Sequence, residues 1–180
     1  MANRQVARIG NPVLRRVARP LPASAPGSPE LEELIEDMIA AMREEEGVGL
    51  AAPQVSESVR LVVIEVPALD GDPEVPLTVL INPVVTPLGE ERAMGWEGCL
   101  SVPDLRGKVP RWQRVRLQAL DRSGRPVDVE ASGFFARVIQ HECDHLDGII
   151  YLDRMEDMST LCFLPEFEAF VVGDEEVPCA

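Results

Sequence analysis

Residues 132–148 read SGFFARVIQHECDHLDG, and this stretch decides the fold. Phe134, Phe135, Val138 and Ile139 recur at helical spacing, and Asp147-Gly148 supplies a stop. The spacing predicts a helix from about Ser132 to Leu146. On it, His141 and His145 stand four residues apart, so they project from one face, one turn apart. They are the only 2 histidines in the chain. Two neutral imidazoles so placed can grip one divalent metal, and Glu142 beside the first can reach a water held there. Glu142 lies off the ligand line, which suits a base better than a third ligand.

Working outward, Ser28-Pro29 opens an earlier helix. Serine is the N-cap, proline the first helical residue, and Glu30 sits near the positive dipole end. Leu31, Leu34, Ile35, Met38, Ile39 and Met42 give it one buried face, and Gly47 and Gly49 stop it. VRLVVIEV at 59–66 reads as a strand and the acidic stretch 70–76 as a loop. LTVLIN at 77–82 reads as a second strand, ended by Pro83. RVRLQAL at 114–120 turns at 121–124 and returns as PVDVEA, a hairpin. IIYL at 149–152 reads as a short strand. The tail beyond Met155 is acidic and weakly patterned. The fold class expected is therefore α+β, with mostly antiparallel sheets packed around a central helix carrying the HExxH motif. All 180 residues are read as one domain, with the tail 156–180 atypical.

The balance of 17 Lys+Arg against 31 Asp+Glu, a net −14, argues against a generic nucleic-acid binder and against an anionic membrane surface. No apolar run approaches the roughly 18–20 residues of a membrane span. The opening MANRQVARIGNP has no apolar core of a secretory signal, so the expected location is cytoplasmic. In that compartment Cys99, Cys143, Cys162 and Cys179 are read as free thiols or metal ligands.

A metal centre with two histidines needs a third ligand and one open position. The absence of a third histidine excludes the metzincin arrangement. Two candidates stay open: a downstream carboxylate, Glu166 or Glu168, as in thermolysin-like metallopeptidases, or a thiolate. Cys143 points away from the histidine face. Cys99 lies in Trp96-Glu97-Gly98-Cys99-Leu100-Ser101, where glycine admits a close approach. A third stretch, Gly47-Val48-Gly49-Leu50-Ala51-Ala52-Pro53-Gln54, is a strip of small residues. It reads either as a packing seam or as a groove wall offering its backbone to an extended peptide.

Taken together, GVGLAAPQ at 47–54, EGCLS at 97–101 and QHECDHL at 140–146 resemble the three motifs of the peptide deformylase family, in order and separation. The resemblance covers roughly residues 8 to 155. It implies a metal-dependent hydrolase that removes the N-formyl group from the formyl-methionine of newly made polypeptides and releases formate. It implies Cys99, His141 and His145 as ligands of one divalent metal, Fe2+ in the cell, with Ni2+, Co2+ or Zn2+ also accepted. Glu142 would be the general base and then the acid, acting on a metal-activated water. Gln54 and the Leu100 N–H would hold the oxyanion. The backbone of Val48 and Gly49 would pair with the peptide and Arg106 would touch it. Phe134, Arg137 and Val138 share a helix face that is expected to line the methionine pocket, with Arg137 at its rim or paired with a carboxylate. Asp144 is expected to pair with Arg111. Many members end in a longer basic helix used for ribosome contact. The tail from Pro165 to Ala180 is short and acidic, which argues against docking through it. The alternatives are a thermolysin-like metallopeptidase with Glu166 as third ligand, or an inactive module that binds metal or peptide.

Overall fold

The computed structural model of the chain describes residues 4–68 and 73–172. Helix α1, Pro29–Glu44, starts where Ser28 Oγ accepts from the Leu31 N–H. Strands β1 (Gly49–Ala51) and β2 (Leu61–Val66) follow, then β3 (Val75–Pro87), β4 (Arg92–Cys99) and β5 (Val102–Trp112). Next come β6 (Arg114–Leu120), β7 (Pro126–Ser132) and the second helix α2, Gly133–Leu146. The chain continues with β8 (Cys162–Phe163) and α3 (Leu164–Phe170). The strands form a five-stranded sheet in the order β1-β2-β3-β6-β7 and a three-stranded sheet in the order β4-β5-β8. Every strand pairing is antiparallel, so the α+β reading holds.

The five-stranded sheet is covered on both faces, which explains the apolar run Leu61–Ile64 of β2. Leu61 and Val63 face α1 and join Leu31, Ile35, Met38 and Met42 in one core. Val62, Ile64 and Val66 face α2 and join Phe134, Val138, Ile139 and Leu146 in another. Helix α2 is thereby wedged between the sheets. Its other side is tied to β5 by the side chain of Gln140, which accepts from the Trp112 N–H at 3.0 Å and donates to the Trp112 carbonyl at 2.9 Å.

Several elements differ from the sequence reading. Strand β3 does not end at Pro83 but runs through it. The register shifts between Ile81 and Val84, and Asn82 takes a positive φ of 52°. Proline lacks a ladder N–H, and a bulge needs none there. The Asn82 side chain fixes the bulge by bonding both the N–H and the carbonyl of Leu21 at 2.8 Å. The expected loop at 70–76 lies partly outside the described residues, and Val75 and Pro76 already belong to β3. Residues 149–152 are not a strand. Tyr151–Arg154 form a 3-10 turn in which Asp153 accepts from the Ile150 N–H, with Ile150 and Tyr151 buried. The β4–β5 hairpin escaped the sequence reading because glycines, prolines and buried charges interrupt its alternation. The tail is better built than its composition suggests. Strand β8 pairs with β5, and Phe167 of α3 is buried edge-on against Trp96, ring centroids 4.8 Å apart. No described helix is long and apolar enough to cross a membrane.

Candidate metal centre and its cavity

Three elements meet at one point. Helix α2 brings His141, Glu142 and His145, all buried. The β4–β5 hairpin brings Cys99, paired with Val102 across a tight turn holding Leu100 and Ser101. Strand β1 and the 3-10 turn Ala52–Val55 bring Gly49 and Gln54. The ligand atoms of Cys99, His141 and His145 all lie within 4.8 Å of one another, and Cys99 Sγ stands 3.2 Å from His145 Nε2. Ligands of a single ion at ordinary bond lengths of ~2.0–2.3 Å are spaced by roughly 3–4 Å, so the three residues fit one ion. They are the one such group of His, Cys and acidic side chains among the described residues. Glu166 and Glu168 are exposed on α3 and stand apart from it.

The side chains behind the ligands orient them. The Nδ1 of His141 bonds Oε2 of Glu97 at 2.9 Å, which leaves Nε2 as the atom that could ligate a metal. Glu97 is fully buried and carries two guanidiniums. Arg111 holds it through both oxygens at 2.8 and 2.9 Å, and Arg137 through Oε1 at 2.8 Å. Arg111 continues to Asp144 at 2.6 Å, as expected, and Arg154 bonds the same carboxylate. Burial alone would raise the Glu97 carboxyl, but Arg111 and His141 hold it well below the usual carboxylate range. Burial would likewise raise the Cys99 thiol. The imidazoles of His145 and His141 override it and keep the thiol well below its ordinary value.

Glu142 is different. Burial pushes its carboxyl up to about 7, against the pull of the two imidazoles. Its Oε2 has no protein partner, nor does Nδ1 of His145. A buried oxygen without a partner is costly, and a water or ligand bound there would satisfy it. Gln54 is held by its own turn. The Ala51 N–H donates to Oε1 at 2.8 Å, which forces Nε2 toward the centre, 3.3 Å from Ser101 Oγ and 3.6 Å from Cys99 Sγ.

A cavity of about 330 Å³ opens over the centre. It takes in Val48, Gly49, Gln54, Cys99 and Leu100, together with Arg106, Val138, His141 and Glu142, so most residues read from the sequence share one space. Strand β1 is an edge of its sheet along this cavity. Two residues read as pocket lining are elsewhere. Phe134 is 6% exposed and sits in the core between α2 and the large sheet. Arg137 is buried under the β4–β5 hairpin, where it donates to Glu97 and to the carbonyls of Ala93, Gly95 and Val109. Both share a helical face with Val138, but that face is split between core and cavity. Missed by the sequence reading were Glu97, whose signal was an acid inside a glycine-rich motif, and Leu164, which borders the cavity from α3.

The chain is similar to known proteins of one kind. The sequence model described as "Polypeptide deformylase" matches residues 3–160. Peptide deformylase 2 of Pseudomonas putida is 47% identical over 159 residues, 87% of this chain and 89% of that protein. Peptide deformylase 1 of Prochlorococcus marinus is 45% identical over 173 residues, 93% and 88% of the two chains. Among solved structures, a Met-Ala-Ser-bound class I type b peptide deformylase of Acinetobacter baumannii superposes with a TM-score of 0.80 at 39% identity. The match covers 86% of this chain and 100% of that one.

Proposed function

The chain belongs to the peptide deformylase family, and we propose that Cys99, His141 and His145 hold its one divalent metal, with Glu142 as the base. The enzyme removes the N-formyl group from the formyl-methionine of newly made polypeptides and releases formate. The family is metal-dependent. A metal bound there supplies Lewis acidity, lowering the pKa of a bound water and polarising the formyl oxygen.

The rest falls to the chain's own groups. Glu142 takes a proton from the attacking water and returns it to the amine nitrogen as the C–N bond breaks. A carboxyl raised to about 7 by burial is suited to both halves of that transfer. Gln54 Nε2 and the Leu100 N–H donate to the oxygen that gains charge, and each such donor is typically worth about 10²–10³ in turnover. The backbone of Val48 and Gly49, where the free edge of β1 begins, pairs with the extended peptide. Arg106 borders its path, and Val138 helps to line the methionine pocket. Glu97 keeps His141 in the tautomer that presents Nε2.

A thiolate with two imidazoles is a softer set than three nitrogen or oxygen ligands. Such a set admits Fe2+, Ni2+, Co2+ or Zn2+ without choosing among them, and Fe2+ is the native metal we propose on the family resemblance. The described cysteines Cys99, Cys143 and Cys162 are unpaired, which supports a reducing, cytoplasmic location. The partner is the nascent formyl-methionyl peptide, with neither nucleic acid nor membrane bound directly.

The observation that carries the assignment is the convergence of the three ligand atoms beside the unpartnered oxygen of Glu142. Its test is formate release from formyl-Met-Ala-Ser by anaerobically prepared protein loaded with Fe2+ or Ni2+. Release that is lost on chelation and restored by metal supports the assignment. A protein holding one metal per chain that yields no formate refutes it.

A further inference from the structure

We propose that Arg137 is a positioning residue of the metal centre. With His141 it grips the Glu97 carboxylate by its two oxygens, and so fixes the strand that carries Cys99 against the helix that carries both imidazoles. The inference rests on the ligand assignment proposed above and deepens it, because it says what sets the spacing of the thiolate from the histidines.

Arg137 and His141 stand four residues apart on α2, so they leave the helix on one side, one turn apart. Arg137 Nη1 donates to Oε1 of Glu97 at 2.8 Å, and Nδ1 of His141 bonds Oε2 at 2.9 Å. Arg111 of β5 takes the remaining sites, with Nε on Oε1 and Nη2 on Oε2. Each oxygen thus has two partners, which fills the roughly four lone-pair sites of a carboxylate. Arg111 also reaches Asp144, three residues beyond His141 on α2. Helix α2 therefore holds the carboxylate from both sides of His141, directly through Arg137 before it and through Arg111 after it.

Arg137 is itself seated by the β4–β5 hairpin. Its Nη2 donates to the Ala93 carbonyl at 2.8 Å and its Nη1 to the Val109 carbonyl at 2.9 Å. Gly95 lies opposite Val109 across the hairpin. A Cβ on Gly95 would stand 2.5 Å from Nη2 and 2.6 Å from Cζ, so the guanidinium lies against bare backbone. Its planar fork serves strand carbonyls and the Glu97 carboxylate together, which a point charge on a flexible stem does not do. The ladder between β4 and β5 shifts register between Glu97 and Cys99. Strand pairing is thus irregular where the thiol is delivered, and the tie at Glu97, two residues before Cys99, carries the position of β4 over to α2.

The test uses wild type, Arg137→Met, Gly95→Ala and the double variant. Metal affinity is measured by competition with a chelator, and the thiolate-to-Co2+ absorption band is recorded on the Co2+-loaded proteins. Arg137→Met is expected to lose about tenfold in affinity, the low end for loss of an orienting partner, and to shift or broaden the band. Gly95→Ala displaces the guanidinium without removing it. It should lose affinity in the same direction, and it should add no further loss in the Arg137→Met background. Should Arg137→Met fail to fold, Gly95→Ala decides alone by the same two readouts. Wild-type affinity and band in the single variants overturn the inference. So does a full additional loss in the double variant, or a lowered melting temperature with affinity and band unchanged, which marks a purely structural role. Wild type binding Co2+ with no thiolate band would instead refute Cys99 as a ligand, and the inference would fall with the reading it rests on.

Discussion

A Cβ placed on Gly49 would lie 2.5 Å from Oε1 of Glu142. The glycine of β1 is thus the space in which the carboxylate of α2 stands, and the GVGLAA motif would serve the proposed base as well as the proposed groove. Gly49→Ala is expected to displace the Glu142 carboxylate rather than unfold the chain, since the clash falls on the end of a flexible side chain. Turnover should drop by about 10²-fold, the lower range for losing a positioned acid–base group, with the circular dichroism spectrum retained. Near wild-type kcat in the alanine variant would separate the glycine from the base.

Glu97 joins the proposed metal centre to the buried charge network, because His141, Arg111 and Arg137 all bond its carboxylate. Glu97→Gln should weaken metal affinity by about 10–100-fold, as loss of an orienting partner typically does. Competition with a chelator measures it. Glu97→Ala should also lower stability by ~3–5 kcal/mol, because two guanidiniums lose a buried partner.

The same carboxylate sets an acid limb of stability. Its folded pKa lies below its unfolded value of ~4.3, with Arg111 and His141 overcoming burial. Its contribution is therefore complete above that value and is lost as pH falls below it. Denaturant titrations between pH 3 and pH 6 should show wild type losing stability on acidification and Glu97→Gln losing less. Parallel curves for the two proteins would contradict the assignment.

Thiol reactivity should report metal occupancy. The imidazoles of His145 and His141 hold the Cys99 thiol well below its ordinary value, whereas burial pushes Cys143 up to about 12. At neutral pH, alkylation followed by mass spectrometry should leave Cys143 unmodified in both forms. Cys99 should be protected in the metal-loaded protein and modified after chelation. Equal labelling of Cys99 with and without metal would remove it from the ligand set.

The parts legible from sequence were those with periodic or motif signals. The face of α1, the run of β2, the β6–β7 hairpin and the α2 motif each carry their pattern locally. What escaped depends on tertiary context. Pro83 forbids a regular ladder, and only the Asn82 bulge shows how β3 accommodates it. Arg137 shares a helical face with Val138, and nothing local tells that Gly95 clears space for its guanidinium under β4. Leu164 reaches the cavity because Phe167 finds Trp96, a contact between residues far apart in sequence.

The most direct test of the account concerns Glu142, whose buried carboxylate has an unpartnered oxygen beside the three proposed ligands. Metal content and formate release from formyl-Met-Ala-Ser would be measured together in wild type and Glu142→Gln. The account predicts one metal per chain in both and a fall in turnover of about 10²–10⁴-fold in the variant, the range for losing a general acid–base group. A fully metallated Glu142→Gln protein releasing formate at the wild-type rate would contradict it.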